Sequence, residues 1–242
     1  MAARFLRQIG SIFHVPVVTR TLRWGLRLLP ILIMMDLGYL IGIWPDWELY
    51  TEGPIQRSSF IRSYESEQYR HADWPELRWN QVSIETIPQD LIRAVIVAED
   101  ARFFEHDGVD IDALTDAMEY NLSEKRLVYG ASTISQQTVK NIFLSPSRNP
   151  LRKWHELLLT IGMERNLSKR RILEHYLNVA EFGRGIYGVD AAARHYWGIP
   201  ASRLTSRQAI ELAATLPSPV RNNPATRARS FQSRVTKIRR YF

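Results

Sequence analysis

The stretch Glu99-Asp-Ala-Arg-Phe-Phe-Glu-His-Asp-Gly108 ends a predicted helix and carries the first side chain suited to chemistry. The preceding Thr86-Ile-Pro-Gln89 is a capping box with proline in the first turn, which predicts a helix from about Pro88 to Phe104. Steps of three and four residues place five side chains on one face: Ile92, Ile96, Glu99, Phe103 and His106. A carboxylate on an apolar face loses hydration, so its pKa rises and it becomes a better general base. The alternative is a glutamate at the edge of that face, reaching into solvent.

A second polar stretch, Gly130-Ala-Ser-Thr-Ile-Ser-Gln-Gln-Thr-Val-Lys-Asn141, predicts a glycine turn, a cap at Ser132 and a short helix. Thr133, Gln137 and Lys140 stand at i, i+4 and i+7, so they form one polar face that ends in a cation. A hydroxyl, an amide and an ammonium group near a helix N-terminus suit a phosphate or pyrophosphate. A solvated helix face is the alternative.

A third stretch begins with Asn149-Pro150, an N-cap followed by proline at the first helical position. The helix that it predicts places Arg152 and Glu156 at i and i+4 and continues through Leu159 and Met163. A surface ion pair, worth a few tenths of a kcal/mol, is the simplest interpretation of that spacing.

Five motifs of this chain, taken in order, closely resemble those of glycosyltransferase family 51, the peptidoglycan glycosyltransferases. They are Glu99-Asp-x-x-Phe-x-x-His-x-Gly108, the stretch from Gly130 to Asn141, Arg152-Lys-x-x-Glu156, Arg171-Ile-Leu-Glu-His-Tyr-Leu-Asn178, and Glu181-Phe-Gly followed by Gly185-Ile-Tyr-Gly-Val-Asp-Ala-Ala-Ala193. The resemblance extends from about Pro88 to Pro224. Ala131 stands where a second glycine is usual and Ser135 where threonine is usual, and both keep size and polarity.

The resemblance implies a mainly α-helical, lysozyme-like glycosyltransferase domain at residues 81–225, with a smaller lobe close to the membrane. The implied substrate is lipid II, a disaccharide-pentapeptide on undecaprenyl pyrophosphate. The 4-hydroxyl of its N-acetylglucosamine attacks the terminal anomeric carbon of the growing glycan, in a single displacement with inversion that forms a β-1,4 strand. Because the chain ends at Phe242, too soon for a transpeptidase domain, it is similar to the monofunctional form.

By this resemblance the catalytic residues are Glu99, as general base, and Glu156. Glu156 could orient the cations, bind a divalent ion or assist the leaving group, and the sequence leaves these roles open. No cofactor is required, although Mg²⁺ or Mn²⁺ at Glu156 is compatible with the motif. The predicted substrate-binding residues, which include the groups facing the pyrophosphate, are Asp100, Phe103, His106, Thr133, Gln137, Lys140, Asn141, Arg152 and Lys153.

Two other functions compete with this prediction. A lysozyme or lytic transglycosylase also pairs carboxylates in a helical fold, but it cleaves glycan and does not need cations directed at a pyrophosphate. A non-catalytic scaffold for the cell-wall machinery would use the same motifs only structurally. The expected partners are lipid II, the glycan strand and the membrane, with cell-wall synthesis or division proteins as further candidates. Nucleic acid is not expected, since no basic and aromatic recognition module is present.

The N-terminal region predicts a membrane anchor. Residues 1–27 form a basic cytoplasmic segment with five arginines, and residues 28–45 an apolar stretch just long enough to span a bilayer. Acidic residues follow the stretch, which predicts a cytoplasmic N-terminus and a catalytic domain on the periplasmic or outer face of the cell inner membrane. Asp36 in mid-span suggests a helix partner or a functional role. A cleaved signal peptide is the alternative, but no small-residue cleavage site follows Trp44.

The remaining sequence is also mainly helical. A chain of 242 residues without cysteine can hold one substantial domain and no disulfide framework. Residues 46–80 lack clear periodicity and are predicted as a linker or membrane-proximal segment that can pack against the flank of the domain, whereas residues 226–242 are predicted as a basic C-terminal helix. Further helices are predicted from Ser168 to Asn178, from Val189 to Trp197, and from 209 to 216 after a capping box at Thr205. Strand signals are limited to Val82-Ile84 and Val128-Tyr129.

Four polar residues within the motifs have simpler structural interpretations. His106 is predicted to position its neighbours, and Asn178 to tie a helix end to a neighbouring backbone. Glu174 fits an exposed helix position, and Glu181 a turn.

Overall fold

The computed structural model describes residues 16–124, 130, 132–147, 149 and 151–242. The chain divides into two compact units, Met1–Pro45 and Asp46–Phe242. Predictions that concern residues 1–15, Val128-Tyr129 and Pro150 lie outside the described residues.

The first unit contains the long helix α1, Pro16–Ile43, which has Pro30 in its interior. Its second half exposes many apolar side chains: Leu28, Leu29, Ile31, Leu32, Ile33, Met34, Met35, Leu37, Tyr39 and Ile41. The sequence predicts a membrane-spanning helix over residues 28–45. A helix does form there, but within the described part of the chain no helix is both long enough and apolar enough to cross a membrane.

Helices make up most of the second unit, which confirms the prediction of a mainly α-helical domain. Their bounds are α2 (Glu48–Thr51), α3 (Ser59–Gln68), α4 (Gln89–Glu99), α5 (Ile111–Ser123), α6 (Ile134–Phe143), α7 (Leu151–Asn166), α8 (Lys169–Val179), α9 (Val189–Trp197), α10 (Ser206–Thr215) and α11 (Arg229–Tyr241), with 3₁₀ turns at Ile84–Thr86 and Ala201–Arg203.

Several helix ends lie where the sequence predicts them. The hydroxyl of Ser168 accepts a hydrogen bond from the backbone of Arg171 and caps α8. Gly198 ends α9 in the left-handed conformation, with φ of +70°. Thr205 and Gln208 form a reciprocal capping box at the start of α10. These signals are local, so the sequence alone is sufficient to place them.

Helix α4 is shorter than predicted, because it ends at Glu99 rather than Phe104. Asp100 leaves the helical conformation with φ of −164° and ψ of +75°, and its carboxylate accepts a hydrogen bond from the backbone N–H of Ile134. The chain beyond it forms turns, so Phe103 and His106 do not share a helix face with Glu99. The tertiary contact outweighs the helical periodicity here.

Residues 46–80, predicted as an irregular linker, contain α2, α3 and the strand β1, Arg78–Trp79. In the three-stranded sheet of this unit, β3 (Ile186–Tyr187) lies between β1 and β2 (Glu181–Gly183). β1 is parallel to β3, and β2 is antiparallel to it. Ile61 and Tyr64 of α3 are buried against Tyr187, so this segment is part of the core. Val82–Ile84, predicted as a strand, instead leads into a 3₁₀ turn.

Helix α4 runs through the core and ends at Glu99, the candidate general base. Leu91 and Val95 on α4 are fully buried, and α10 packs along this helix with fully buried Ala209 and Ala213. Small side chains on α10 allow the two helices to approach closely. Helix α11 packs against both through Phe231, Val235 and Ile238. The C-terminal end of α4 is thereby fixed next to α11.

Candidate active site

The carboxylate of Glu99 lies at the end of α4 and is only 8% exposed. Its Oε1 accepts a hydrogen bond from Nη2 of Arg234, at 2.5 Å, and its Oε2 accepts one from Nε2 of Gln137, at 3.0 Å. Burial raises the pKa of Glu99, and the charge of Arg234 is the strongest opposing effect. The hydrogen bond from Gln137 and the charge of Lys140 also oppose the rise. The prediction of a desolvated carboxylate at this position therefore agrees with the geometry.

Gln137 connects Glu99 to the core. Its Nε2 also lies 3.4 Å from the carbonyl oxygen of Ser132, and its Oε1 accepts a hydrogen bond at 3.2 Å from the hydroxyl of Tyr176 on α8. Gln137 was predicted to face the leaving pyrophosphate. In the structure its amide group contacts the predicted base.

The N-terminus of α6 is fixed by groups from the first motif. Thr133, rather than the predicted Ser132, caps this helix, in a capping box with Gln136. The hydroxyl of Thr133 donates to the carbonyl of Gly108, at 2.6 Å. Asp100 accepts from Ile134, as described above, and also contacts Nε2 of His106, at 3.0 Å. His106 thus holds Asp100, in agreement with its predicted positioning role.

Phe103, in the turns that follow α4, is fully buried. The ammonium group of Lys169 stands 4.6 Å from the centre of its ring. Lys169 also pairs with Glu164 at 2.7 Å, and the hydroxyl of Ser135 donates to the same Glu164 oxygen. We interpret Phe103, like Asp100 and Thr133, as part of the support for the site. Their predicted contacts with substrate stay predictions.

Three cations, Lys140, Arg152 and Lys153, are clustered with Glu156 and form the second half of the site. Nζ of Lys153 lies 2.5 Å from Oε1 of the buried Glu156 and 3.2 Å from the hydroxyl of Ser132. The sequence predicted Arg152 as the partner of Glu156, whereas the structure gives that position to Lys153. A guanidinium nitrogen of Arg152 instead lies 3.5 Å from the carbonyl of Ser145.

Lys140 interacts electrostatically with both Glu156 and Glu99. Burial is the main cause of a lowered pKa at Lys140. Glu156 opposes the lowering most strongly, the cations of Arg152 and Lys153 add to it, and Glu99 opposes it more weakly. Lys140 is therefore close to both halves of the site. Asn141, the next residue of α6, is half-buried.

A cleft of about 390 Å³ opens beside Glu99. Its walls come from the end of α4, the first turns of α5 and the segment that precedes α6. The lining residues with polar side chains are Glu99, Asp100, Arg102, Asp110, Asp116, Ser132 and Thr133. The buried carboxylate thus has access to a space that can hold a polar ligand.

A candidate cation site borders this cleft. Asp100, His106 and Asp110 place one ligand atom each within 4.8 Å of one another. However, the guanidinium of Arg102 binds both carboxylate oxygens of Asp110, and Asp100 already accepts from Ile134. Because these carboxylate oxygens already accept hydrogen bonds from protein groups, the three residues do not fit a divalent cation well. Glu156 is not a member of it, and its predicted metal-binding role stays a prediction.

Sequence reasoning missed Arg234 and the contact made by Tyr176. Arg234 lies on α11, where it is one of several basic residues that are consistent with a solvated helix face. The partner of Tyr176 could not be predicted, because it belongs to another helix. The sequence carries no local signal for either contact.

Comparison with known proteins assigns this chain to one family. The model of the transglycosylase family matches residues 67–241, which include the whole of the site described above. A biosynthetic peptidoglycan transglycosylase of Laribacter hongkongensis is 40% identical over 198 residues, covering 82% of this chain and 87% of the relative. The protein of the same name in Aeromonas hydrophila is 50% identical, over 68% of this chain and 70% of its own length. The one in Nitrosospira multiformis is 52% identical, over 59% of this chain and 62% of its own length. The chain therefore belongs to the transglycosylase family.

Proposed function

We propose that this chain polymerises lipid II into β-1,4 glycan strands by a single displacement with inversion, releasing undecaprenyl pyrophosphate. The protein is a peptidoglycan glycosyltransferase: its family and the names of its relatives support that activity. The observation that carries the mechanism is the buried carboxylate of Glu99, which lies beside a cleft with Lys140 near it.

Glu99 acts as the general base. A sugar hydroxyl is a weak nucleophile at neutral pH, and the raised pKa of Glu99 makes its carboxylate a better acceptor for the hydroxyl proton. As the proton moves to Glu99, the 4-hydroxyl oxygen of N-acetylglucosamine forms a bond to the anomeric carbon of the donor. The bond from that carbon to the pyrophosphate breaks, and its electron pair leaves with the phosphate oxygen.

The cations stabilise the leaving pyrophosphate. Lys140, Arg152 and Lys153 lie close enough for their charges to interact, so together they offer a positive region to an anionic group. Glu156 orients Lys153 through their ion pair.

The enzyme works at the outer face of the cytoplasmic membrane. Its donor and acceptor are both linked to lipid, so tethering the site at the bilayer raises the frequency of encounter. The exposed apolar side chains of α1 and the basic residues of α11 support contact with an anionic lipid surface. Cell fractionation, followed by protease treatment of intact spheroplasts, tests this location: the catalytic domain should sediment with membranes and be cleaved from outside.

Polymerisation of labelled lipid II in detergent tests the reaction. The wild-type protein should make long, lysozyme-sensitive strands, and Glu99→Gln should lower the rate by about 10²–10⁴-fold while staying folded. Glu156→Gln should retain more activity than Glu99→Gln, because Glu156 acts through Lys153. The matched control is Glu85→Gln, at an exposed glutamate, which should behave as wild type. A wild-type protein that leaves lipid II intact and shortens preformed glycan would overturn the proposal in favour of a hydrolase or lyase.

A further inference from the structure

The hydroxyl of Tyr176 lies two hydrogen bonds from Glu99, and the mechanism above does not use it. It donates to Oε1 of Gln137 at 3.2 Å, and Nε2 of Gln137 donates to Glu99 at 3.0 Å. Tyr176 is 1% exposed, so its side chain cannot reach a substrate in the cleft. Any effect of its hydroxyl on the reaction must therefore pass through Gln137.

The amide of Gln137 can turn only one way in these surroundings. Its Nε2 is near the carbonyl oxygen of Ser132 and the carboxylate of Glu99, and in the ionised form that a general base requires this carboxylate, like the carbonyl, only accepts hydrogen bonds. The reverse orientation would place the amide oxygen against two acceptors. In the observed orientation the amide oxygen needs a donor, and Tyr176 supplies it. Helices α4, α6 and α8 each contribute one group to this chain of hydrogen bonds.

We propose that Tyr176 is a positioning residue for glycosyl transfer, which holds the Gln137 amide with its NH₂ group toward Glu99 and so keeps the carboxylate ionised and fixed in direction. The proposal rests on the assignment of Glu99 as the base. Without the hydroxyl, the amide oxygen of Gln137 has no donor within the described part of the chain, and the amide is free to rotate away from Glu99. A buried acceptor without a donor is unfavourable, which drives this rearrangement.

The charges around Glu99 are consistent with this role. Arg234 faces it from α11, Lys140 from α6, and Asp100 follows it along the chain. On α10, which packs along α4, Arg207 and Glu211 pair with each other. Burial and then the negative charge of Glu99 raise the pKa of Tyr176 well above its usual value, against the effect of Arg234. The hydroxyl thus keeps its proton throughout the range in which Glu99 titrates.

Replacement of Tyr176 by phenylalanine tests the proposal, because it removes one oxygen and keeps the ring. Tyr176→Phe should lower kcat by about five- to tenfold, as expected for the loss of one hydrogen bond, with KM nearly unchanged. The acid limb of the pH profile should move to higher pH. The matched control is Tyr196→Phe, which removes a hydroxyl that donates to the carbonyl of Phe182 at 2.6 Å, away from the site. A residue that is only structural would lower the yield of folded enzyme without moving that limb.

A second readout does not depend on activity. The titration of Glu99 can be followed by NMR of ¹³C-labelled carboxyl groups, with Glu99→Gln identifying the signal. The pKa should be higher in Tyr176→Phe and in Gln137→Leu than in wild type, and the double variant should match Gln137→Leu alone. An unchanged pKa in Tyr176→Phe, or additive shifts in the double variant, would overturn the positioning role. If the wild-type protein does not polymerise lipid II, the proposed function fails, whereas the NMR comparison still decides whether Tyr176 acts on Glu99.

Discussion

Arg234 donates a hydrogen bond from Nη2 to Oε1 of Glu99 at 2.5 Å, although 135 positions separate the two residues. The same nitrogen donates to the carbonyl oxygen of Ala98 at 3.0 Å. The guanidinium therefore binds both the carboxylate and a backbone oxygen in the last turn of α4, where the helix dipole adds negative charge. A cation at this position favours the ionised form of the buried carboxylate and opposes the effect of burial on its pKa.

Loss of this cation should make the base harder to ionise. The base must be deprotonated to act, so activity falls as the pH drops through the pKa of Glu99, which burial already raises. Arg234→Gln removes the strongest opposing charge, so the acid limb of kcat/KM should move to higher pH and activity at neutral pH should fall. Arg234→Lys should shift the limb less. The exposed Arg229 on the same helix provides the control, since Arg229→Gln should leave the profile unchanged.

Lys140 should define the alkaline limb of the same profile. Burial lowers its pKa, so the ammonium group loses its proton, and its charge on the pyrophosphate, at a lower pH than an ordinary lysine. Lys140→Arg keeps the charge and should move the alkaline limb upward. Lys140→Gln should reduce kcat by about 10²–10³-fold. A Lys140→Gln enzyme within threefold of wild type would show that another cation carries the leaving group.

The sequence was sufficient where the decisive signal is local. The capping residues Ser168 and Thr205 and the glycine at 198 can be recognised because each acts on its own helix end. The apolar surroundings of Glu99 could also be predicted, although for a helix that is longer than the real one. Its end depends on Asp100, whose carboxylate contacts a different helix.

Contacts between distant elements could not be predicted in this way. Glu174 was predicted as exposed, but its side chain is 14% exposed, pairs with Arg171 and accepts from the backbone of Ile84. Asn178 is a contrasting example: its amide both accepts from and donates to the backbone of Val82, as its predicted role requires. For Asn178 the residue type suggested a backbone tie, whereas a glutamate suits solvent and a buried ion pair equally well.

Glu181 lies in β2 rather than in the predicted turn, and this burial should make stability depend on pH. Burial raises its pKa from 4.5 to about 7, against opposing effects of Arg184 and the backbone of Gly185. A carboxyl group whose pKa is higher in the folded protein than in the unfolded chain stabilises the fold in its protonated form. This contribution is complete below pH 4.5, the pKa in the unfolded chain, and is lost as the pH rises through 7. The loss amounts to about 3 kcal/mol at most. Urea unfolding between pH 4.5 and 8 should show it, and Glu181→Gln should flatten the dependence, whereas Glu119→Gln at an exposed site should not.

Gly188 and Gly198 allow the cost of a left-handed backbone conformation to be separated from the cost of a steric clash. Gly188 and Gly198 have φ of +80° and +70°, but only Gly188 is crowded: a Cβ there would lie 2.8 Å from the carbonyl oxygen of Asn178. Gly198→Ala should lower the free energy of unfolding by about 1–2 kcal/mol, the cost of the left-handed conformation. Gly188→Ala should cost about 3 kcal/mol or more, because the backbone must also move. Equal losses in chemical denaturation would show that the neighbouring backbone yields easily.

The docking of α11 through Phe231 has a consequence for the order of folding. A contact that joins α11 to α4 closes a very long loop, and such non-local contacts form late because chain entropy opposes them. Phe231→Leu should therefore accelerate unfolding and leave the refolding rate nearly unchanged, which stopped-flow kinetics can measure. Until α11 docks, a partly folded chain has its glutamate without the guanidinium beside it. On this order of folding, Glu99 acquires its cationic partner only when α11 docks.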